Sequence, residues 1–337
     1  MAILAMPGAA RAGCPWHFER CLMLSRRRFL KTQAAGVALP LALAASPKET
    51  WAESLAPLPG APDIEPGQPR IIDCHHHYTA DPAYLEKLTA KLEGLDGMAF
   101  ILTEPPDLSG ATKLIEKHPH RFVGFGEPSL DDPHAVELVD RFHDAGFRGL
   151  GELEYTHKNF DDPSYWPVYE RAEKYGMMIL FHTGIVNRQH PEIPSDVSSD
   201  RMRVTRLDLI ARRFPGITVI GAHLGNPDFA WAAEIGRWNP NVRFDVSGSS
   251  LIKKQDDYTF FKSVFWWSGV ASPHSPASGA SAFEKLVFSS DCFAGDLAEF
   301  DLSLARYQKM LAACGVPAAA QANIFSGTAW RLLNKKG

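Results

Sequence analysis

The sequence predicts a single α/β domain closed as a (β/α)8 barrel. Three observations carry this. Eight short apolar runs alternate with amphipathic segments between Arg70 and the C-terminus. The length of that region matches the roughly 250 residues such a barrel needs. The first run ends not in a glycine-rich phosphate turn, as an open doubly wound sheet would expect, but in His75-His76-His77.

Before that region, Ser25-Arg26-Arg27-Arg28-Phe29-Leu30-Lys31 runs into apolar Ala34 to Ala45, closing on Ala42-Leu43-Ala44. A basic stretch, an apolar stretch and an A-x-A site make a removable export signal over residues 1–45. Its apolar part is roughly a dozen residues, short of the ~20 that span a bilayer, so the mature protein is not membrane-anchored. Around Arg26 and Arg27 the string resembles the twin-arginine signal read by a dedicated translocase, which implies export to the periplasm or beyond. Met23 lies two residues upstream of that string, so residues 1–22 can precede the true start.

Removing residues 1–45 takes away six Lys/Arg and one Glu and moves the net charge from −4 to −9. An acidic body without a basic stripe excludes nucleic acid and anionic membrane as partners and leaves a small molecule. Cys74, Cys292 and Cys314 remain beyond the signal, an odd number at irregular spacing. They read as buried thiols, although a Cys74–Cys292 bridge is conceivable if the first and last strands are neighbours.

Residues 46–68 hold Pro59, Pro62 and Pro66 among Ala and Gly, with no apolar period, and read as a linker. The domain then occupies 69–337. Its predicted strands are Ile71 to Asp73, Met98 to Leu102, Phe122 to Phe125, Gly149 to Leu153, Met177 to Phe181, Ile217 to Gly221, Val242 to Val246 and Leu286 to Phe288. Between them, Ala135, Leu138, Val139 and Phe142, then Val168, Ala172 and Tyr175, then Phe300, Leu304, Tyr307 and Leu311 recur at three- and four-residue spacing, as helices do. Alternation of this kind calls for parallel strands with helical crossovers.

Histidines and one aspartate stand at the ends of these strands. His75 and His77 are two residues apart and so share one face of the first strand. His182 follows the fifth run, His223 the sixth and Asp291 the eighth. The C-terminal ends of barrel strands meet at one mouth, so these residues converge there. Imidazoles with a carboxylate suit a divalent ion, zinc first, and three protein donors with an open position are what a catalytic ion requires. Taken alone, His182 or His223 would read as a core histidine bonded to backbone. Five such residues at four strand ends read as a site.

These motifs resemble the amidohydrolase superfamily, and within it the amidohydrolase-related group of metal-dependent hydrolases and decarboxylases. The resemblance covers about residues 69–334 and rests on Asp73-Cys74-His75-His76-His77, Phe181-His182-Thr183-Gly184, Ala222-His223-Leu224-Gly225 and Ser290-Asp291. The closing segment Asn323 to Leu333 also resembles the family's last helix, with Thr328-Ala329 where Asn-Ala is usual. The resemblance implies a metal held by His75, His77, His182 and Asp291, with Asp291 and His223 as the catalytic pair. The family's strand-four lysine has no counterpart; Glu152 stands in Gly151-Glu152, where a deoxyribonuclease branch of the TatD type uses a glutamate ligand. It is either a ligand admitting a second ion or an acid supporting the ligands. Asp73 is expected to orient the ligand imidazoles, and Glu127 to belong to loop structure.

The chemistry expected is attack by metal-activated water on a small-molecule ester, lactone or amide, with Asp291 moving the proton and His223 polarising the carbonyl. Removal of CO2 on the same scaffold is the alternative; it needs a cation for a substrate carboxylate, and Arg188 is the candidate. A periplasmic metal carrier without catalysis is the third reading. His157 and His190 are further candidates for touching substrate, and Phe260-Phe261 with Phe265-Trp266-Trp267 for capping it.

Overall fold

Seven of the eight predicted apolar runs become strands, and they pair in parallel in chain order. A computed structural model describes residues 65–186, 198–265, 282–293 and 297–335. The strands are β1 (Ile71–His77), β2 (Gly97–Thr103), β3 (Phe122–Gly126), β4 (Gly149–Leu153), β5 (Met178–Phe181), β6 (Thr218–Gly221) and β7 (Val242–Phe244). Nearly every position on them is buried, as expected of a parallel sheet with helices outside and side chains filling the inside. The export signal with Arg26 and Arg27, most of the linker, Arg188, His190, Trp266 and Trp267 lie outside the described residues.

The helices follow the predicted periodicity. They are α1 (Pro82–Gly94), α2 (Leu108–Lys117), α3 (Ala135–Asp144), α4 (Trp166–Lys174), α5 (Arg206–Arg213), α6 (Phe229–Trp238), α7 (Ser249–Lys253), α8 (Phe260–Val264), α9 (Ala298–Cys314), α10 (Ala318–Ala322) and α11 (Thr328–Leu333). On α3 the buried side chains are Ala135, Leu138, Val139 and Phe142, the four that the spacing picks out. Helix α1 starts where Asp81 accepts a hydrogen bond from the Ala83 amide at 3.0 Å and Pro82 fills the first turn. Among the described residues no helix is long and apolar enough to cross a membrane.

The eighth run behaves differently from the prediction. Leu286 to Cys292 forms no continuous strand and bridges its neighbours only at isolated points, Leu286 with Phe244 and Cys292 with His76, both in parallel sense. Its amides nonetheless reach both neighbours: Val287 donates to Phe244 O at 2.9 Å, Asp291 to His75 O at 2.8 Å, and Phe288 O accepts from Cys74 at 2.9 Å. The segment therefore closes the barrel while leaving the ladder at Ser289 and Ser290. There the Asp73 carboxylate takes the place of a strand partner, accepting from the Ser290 amide at 2.8 Å.

Two apolar layers result. Ile72, Phe100, Leu102, Leu180, Ile220 and Val287 fill the barrel, and Ala329 on α11 joins them. The second layer lies between strands and helices. Thr328 and Ala329, where the closing helix departs from the usual pattern, are both buried in this packing. Cys74, Cys292 and Cys314 are buried and not bridged to one another, although Cys74 on β1 and Cys292 sit on adjoining segments.

Candidate metal centre

The residues at the strand ends converge, and local backbone irregularities aim them. The pairing of β1 with β2 shifts register between Asp73 and His76. After that bulge His75 and His77 face inward with their Nε2 atoms 3.3 Å apart, while His76 turns outward to Asp73 at 3.0 Å and to the Tyr84 hydroxyl at 2.9 Å. The pairing of β4 with β5 breaks between Leu150 and Leu153. Gly151 sits there at φ +120°, where a Cβ would fall 2.2 Å from Leu180 O, so only glycine lets the chain turn Glu152 inward. His223 (φ +59°) and Asp291 (φ +55°) occupy the left-handed region that side-chain-bearing residues avoid, a strain that concentrates at working sites.

Three donor atoms form a nearly equilateral triangle. His75 Nε2 lies 3.3 Å from His77 Nε2 and 3.2 Å from Asp291 Oδ1, and His77 Nε2 lies 3.4 Å from the same oxygen. Two donors on one tetrahedral ion, each about 2.0–2.1 Å from it, stand about 3.3 Å apart. The donor chemistry agrees with the spacing. The buried His75 Nδ1 faces Asp245 Oδ2 at 3.1 Å, which leaves its Nε2 facing a second imidazole nitrogen and a carboxylate. Such a set calls for a cation between its members.

A second group lies beside the first. Glu152 Oε1 is 2.8 Å from His182 Nδ1 and 3.3 Å from His223 Nε2, and these three also stand close enough to hold an ion. Glu152 Oε2 points the other way, 3.5 Å from His75 Nε2 and 3.8 Å from His77 Nε2. His223 Nδ1 approaches Asp291 Oδ2 at 3.9 Å. The predicted ligands thus gather at one mouth in two triads, and His182 stands in the triad of Glu152 and His223 rather than with His75, His77 and Asp291.

Charge and burial are coupled here. Burial opposes protonation of His75, yet the carboxylates of Asp291, Glu152 and Asp245 outweigh it and raise its pKa well above the ordinary value. For His223 the same contest, burial against Glu152 and Asp291, ends at about 9. Burial favours the neutral acid at Asp291, but His75 and His77 hold its pKa down at about 2. Glu152 is likewise held well below its usual value by His75 and His182 against burial. Carboxylates that stay ionised in a buried site are good cation ligands.

Several expectations change. Asp73 does not reach the rings of His75 or His77; the bulge sends its carboxylate to His76, the His75 amide and Ser290. The residue that touches His75 Nδ1 is Asp245, just beyond β7, which apolar patterning hid inside a strand predicted to run to Val246. Glu127 turns toward the site rather than into its loop: its Oε1 accepts from the Glu152 amide at 3.3 Å and lies 3.6 Å from His77 Nδ1. Phe293 stacks on His77. His157 stays on the rim, its ring 74% exposed and 3.7 Å from Asp131. Phe260, Phe261 and Phe265 pack with Phe229 and Phe283, and Phe261 and Phe265 are buried, which makes them core rather than cap.

The profile of a family described as amidohydrolase matches residues 110–335, which include Glu152, His182, His223 and Asp291 but not His75 and His77. No curated protein matches the sequence significantly. Among solved structures, the chain is similar to 5-carboxyvanillate decarboxylase from Sphingomonas paucimobilis (15% identity over 79% of this chain and 99% of that one, TM-score 0.53). It is also similar to 2,6-dihydroxybenzoate decarboxylase from Rhizobium (15%, 79% and 99%, TM-score 0.51). A third is a probable 2-pyrone-4,6-dicarboxylic acid hydrolase from Acinetobacter baumannii with citric acid bound (14%, 79% and 99%, TM-score 0.51). At such identities the likeness is one of fold, the TIM barrel.

Proposed function

This chain belongs to the amidohydrolase family, whose members are metal-dependent enzymes, hydrolases and decarboxylases, and we propose that it is a hydrolase acting on a small-molecule ester, lactone or amide. The observation that carries this reading is the triangle of His75, His77 and Asp291 with sides of 3.2 to 3.4 Å. A divalent ion, zinc by the donor set, would be held there, with Glu152, His182 and His223 offering a second position. Such an ion supplies Lewis acidity and lowers the pKa of a bound water from near 16 to about 7.

The chain's own residues do the rest. Asp291 has one oxygen in the triangle and the other 3.9 Å from His223, so it can take a proton at the attacking side and return it at the leaving side. His223 faces the same space and stabilises charge developing on a substrate oxygen. Export by the twin-arginine route, carried by Ser25 to Lys31, is part of the same proposal and makes this a periplasmic or secreted enzyme.

The test is turnover of zinc-loaded protein against ester, lactone and amide panels, with CO2 release from aromatic carboxylic acids followed in parallel. Hydrolysis, with Asp291→Asn losing far more kcat than metal, supports the proposal. CO2 release without hydrolysis transfers the site to decarboxylation, and turnover of neither, with metal bound, favours a carrier.

A further inference from the structure

The turn that carries His223 has the wrong hand for L-residues, and we propose that Thr183 and Ser250 are positioning residues whose hydroxyls hold it, keeping His223 aimed into the site. This rests on the reading of His223 as a catalytic residue and adds two side chains from neighbouring strand ends to it.

After β6, His223 (φ +59°), Leu224 (φ +48°) and Gly225 (φ +64°) follow one another in the left-handed region. Only the glycine adopts it without penalty, because in any other residue Cβ crowds the following carbonyl. Left to local preference, His223 and Leu224 would return to right-handed or extended backbone, and the imidazole would leave its place 3.3 Å from Glu152 Oε1.

Within the turn the Asn226 amide donates to His223 O at 3.0 Å. Three side chains from outside bind the rest. The Thr183 hydroxyl, just past β5, donates to Ala222 O and accepts from the Gly225 amide at 3.1 Å, so it spans the turn from end to end. The Ser250 hydroxyl on α7 donates to His223 O at 2.5 Å. Asp245 Oδ1 accepts from the His223 amide at 2.9 Å. Donor and acceptor are fixed in every hydroxyl bond here, since a carbonyl only accepts and an amide only donates.

Thr183, Leu224 and Ser250 are fully buried, so removing a hydroxyl leaves backbone groups short of a partner away from solvent. Thr183 also follows His182 directly, and His182 and His223 both lie against Glu152 Oε1. One threonine therefore joins the two strand ends that bring imidazoles to that carboxylate. Packing alone would be served as well by valine, which has the shape of threonine without its hydroxyl.

The experiment is amide hydrogen exchange of the full chain, resolved to single residues, with steady-state kinetics on an ester, lactone or amide that the wild type hydrolyses. The reporter is the His223 amide, whose acceptor Asp245 is untouched in both variants. Thr183→Val and Ser250→Ala should each speed its exchange at least roughly tenfold. Each should lower kcat roughly 10- to 100-fold, as misplacing a catalytic group by about 1 Å does, with KM within about threefold. Thr183→Ser should restore both. Thr89→Val, which removes a comparable hydroxyl bond to Leu85 O on α1, should change neither. His223 exchange within about twofold of wild type in both turn variants overturns the proposal. So does wild-type kcat in a variant whose exchange has risen, and so does equal acceleration in Thr89→Val, which would mark a global loss of stability. If Thr183→Val fails to fold, Ser250→Ala decides alone. A wild type that turns over no ester, lactone or amide defeats the hydrolase reading only, and the exchange of His223 then decides by itself.

Discussion

Phe293 lies flat on His77, with ring centroids 4.2 Å apart and planes 9° from parallel. Stacked aromatic pairs contribute about 0.5–1.5 kcal/mol beyond the area they bury. Phe293→Ala should therefore weaken zinc binding about two- to tenfold by freeing the His77 ring, and Phe293→Leu should weaken it less. Chelator competition measures this. Equal affinity in the alanine variant would mean that Glu127 and Asp291 hold the ring without help.

Metal content separates the two triads. His77→Ala and Asp291→Ala each remove one corner of the tighter triangle and should reduce zinc per chain to a small fraction of wild type. His182→Ala, whose side chain bonds to Glu152 instead, should retain the ion of that triangle. Elemental analysis after gel filtration reads both. Complete loss in His182→Ala would place His182 on the same ion as His75 and His77.

Gly248 stands between the two proposed catalytic side chains. At φ +58°, a Cβ on this residue would lie 3.0 Å from Asp291 Oδ2 and 3.1 Å from His223 Nδ1. With ψ at −134° this is a backbone conformation essentially reserved for glycine, and it costs a side-chain-bearing residue about 1–3 kcal/mol before any collision. Gly248→Ala should lower the Tm by several degrees and displace Asp291 or His223 enough to lose most turnover. A calorimetric scan matching wild type would show that the loop relaxes freely.

Lys285 gives the fold an alkaline signature. Burial, aided by Arg243, lowers its pKa from 10.5 to about 7. Its ammonium donates to Asn239 O at 3.1 Å, while Glu284 and Arg331 act on Arg243 from the same region. Between those two pH values the unfolded chain binds a proton that the folded chain does not. Stability from this residue therefore rises as pH climbs from about 7 to 10.5. Denaturant midpoints at neutral and alkaline pH should differ more in wild type than in Lys285→Met. Identical slopes in the two proteins would remove Lys285 as the cause.

The barrel was legible because its strands are near-continuous apolar runs that depend on little beyond burial. Likewise, His75, His77, His182, His223 and Asp291 were legible because strand ends meet at one mouth whatever the details. What escaped depends on departures from regular periodicity. A bulge in β1 redirects Asp73, a shortened β7 releases Asp245, and the eighth run gives up its pairing at Ser289 and Ser290. Phe293 follows that irregular stretch, and no spacing rule points from it to His77. The division into two triads turns on which oxygen of Glu152 faces which ring, a matter of side-chain rotation that residue order does not encode.

The closure of the barrel has a consequence for how the protein is made. Asp73 and Ser290, which lock the first strand to the last segment, are 217 residues apart in the chain, and the triangle of His75, His77 and Asp291 straddles the same seam. While the chain is still emerging from the ribosome, His75 and His77 are present without Asp291, and a nascent polypeptide has only two of the three donors. On the proposed metal-dependent reading, an ion in this triangle is captured only after Asp291 has emerged and the seam has closed, which would make metal acquisition there a reporter of finished folding.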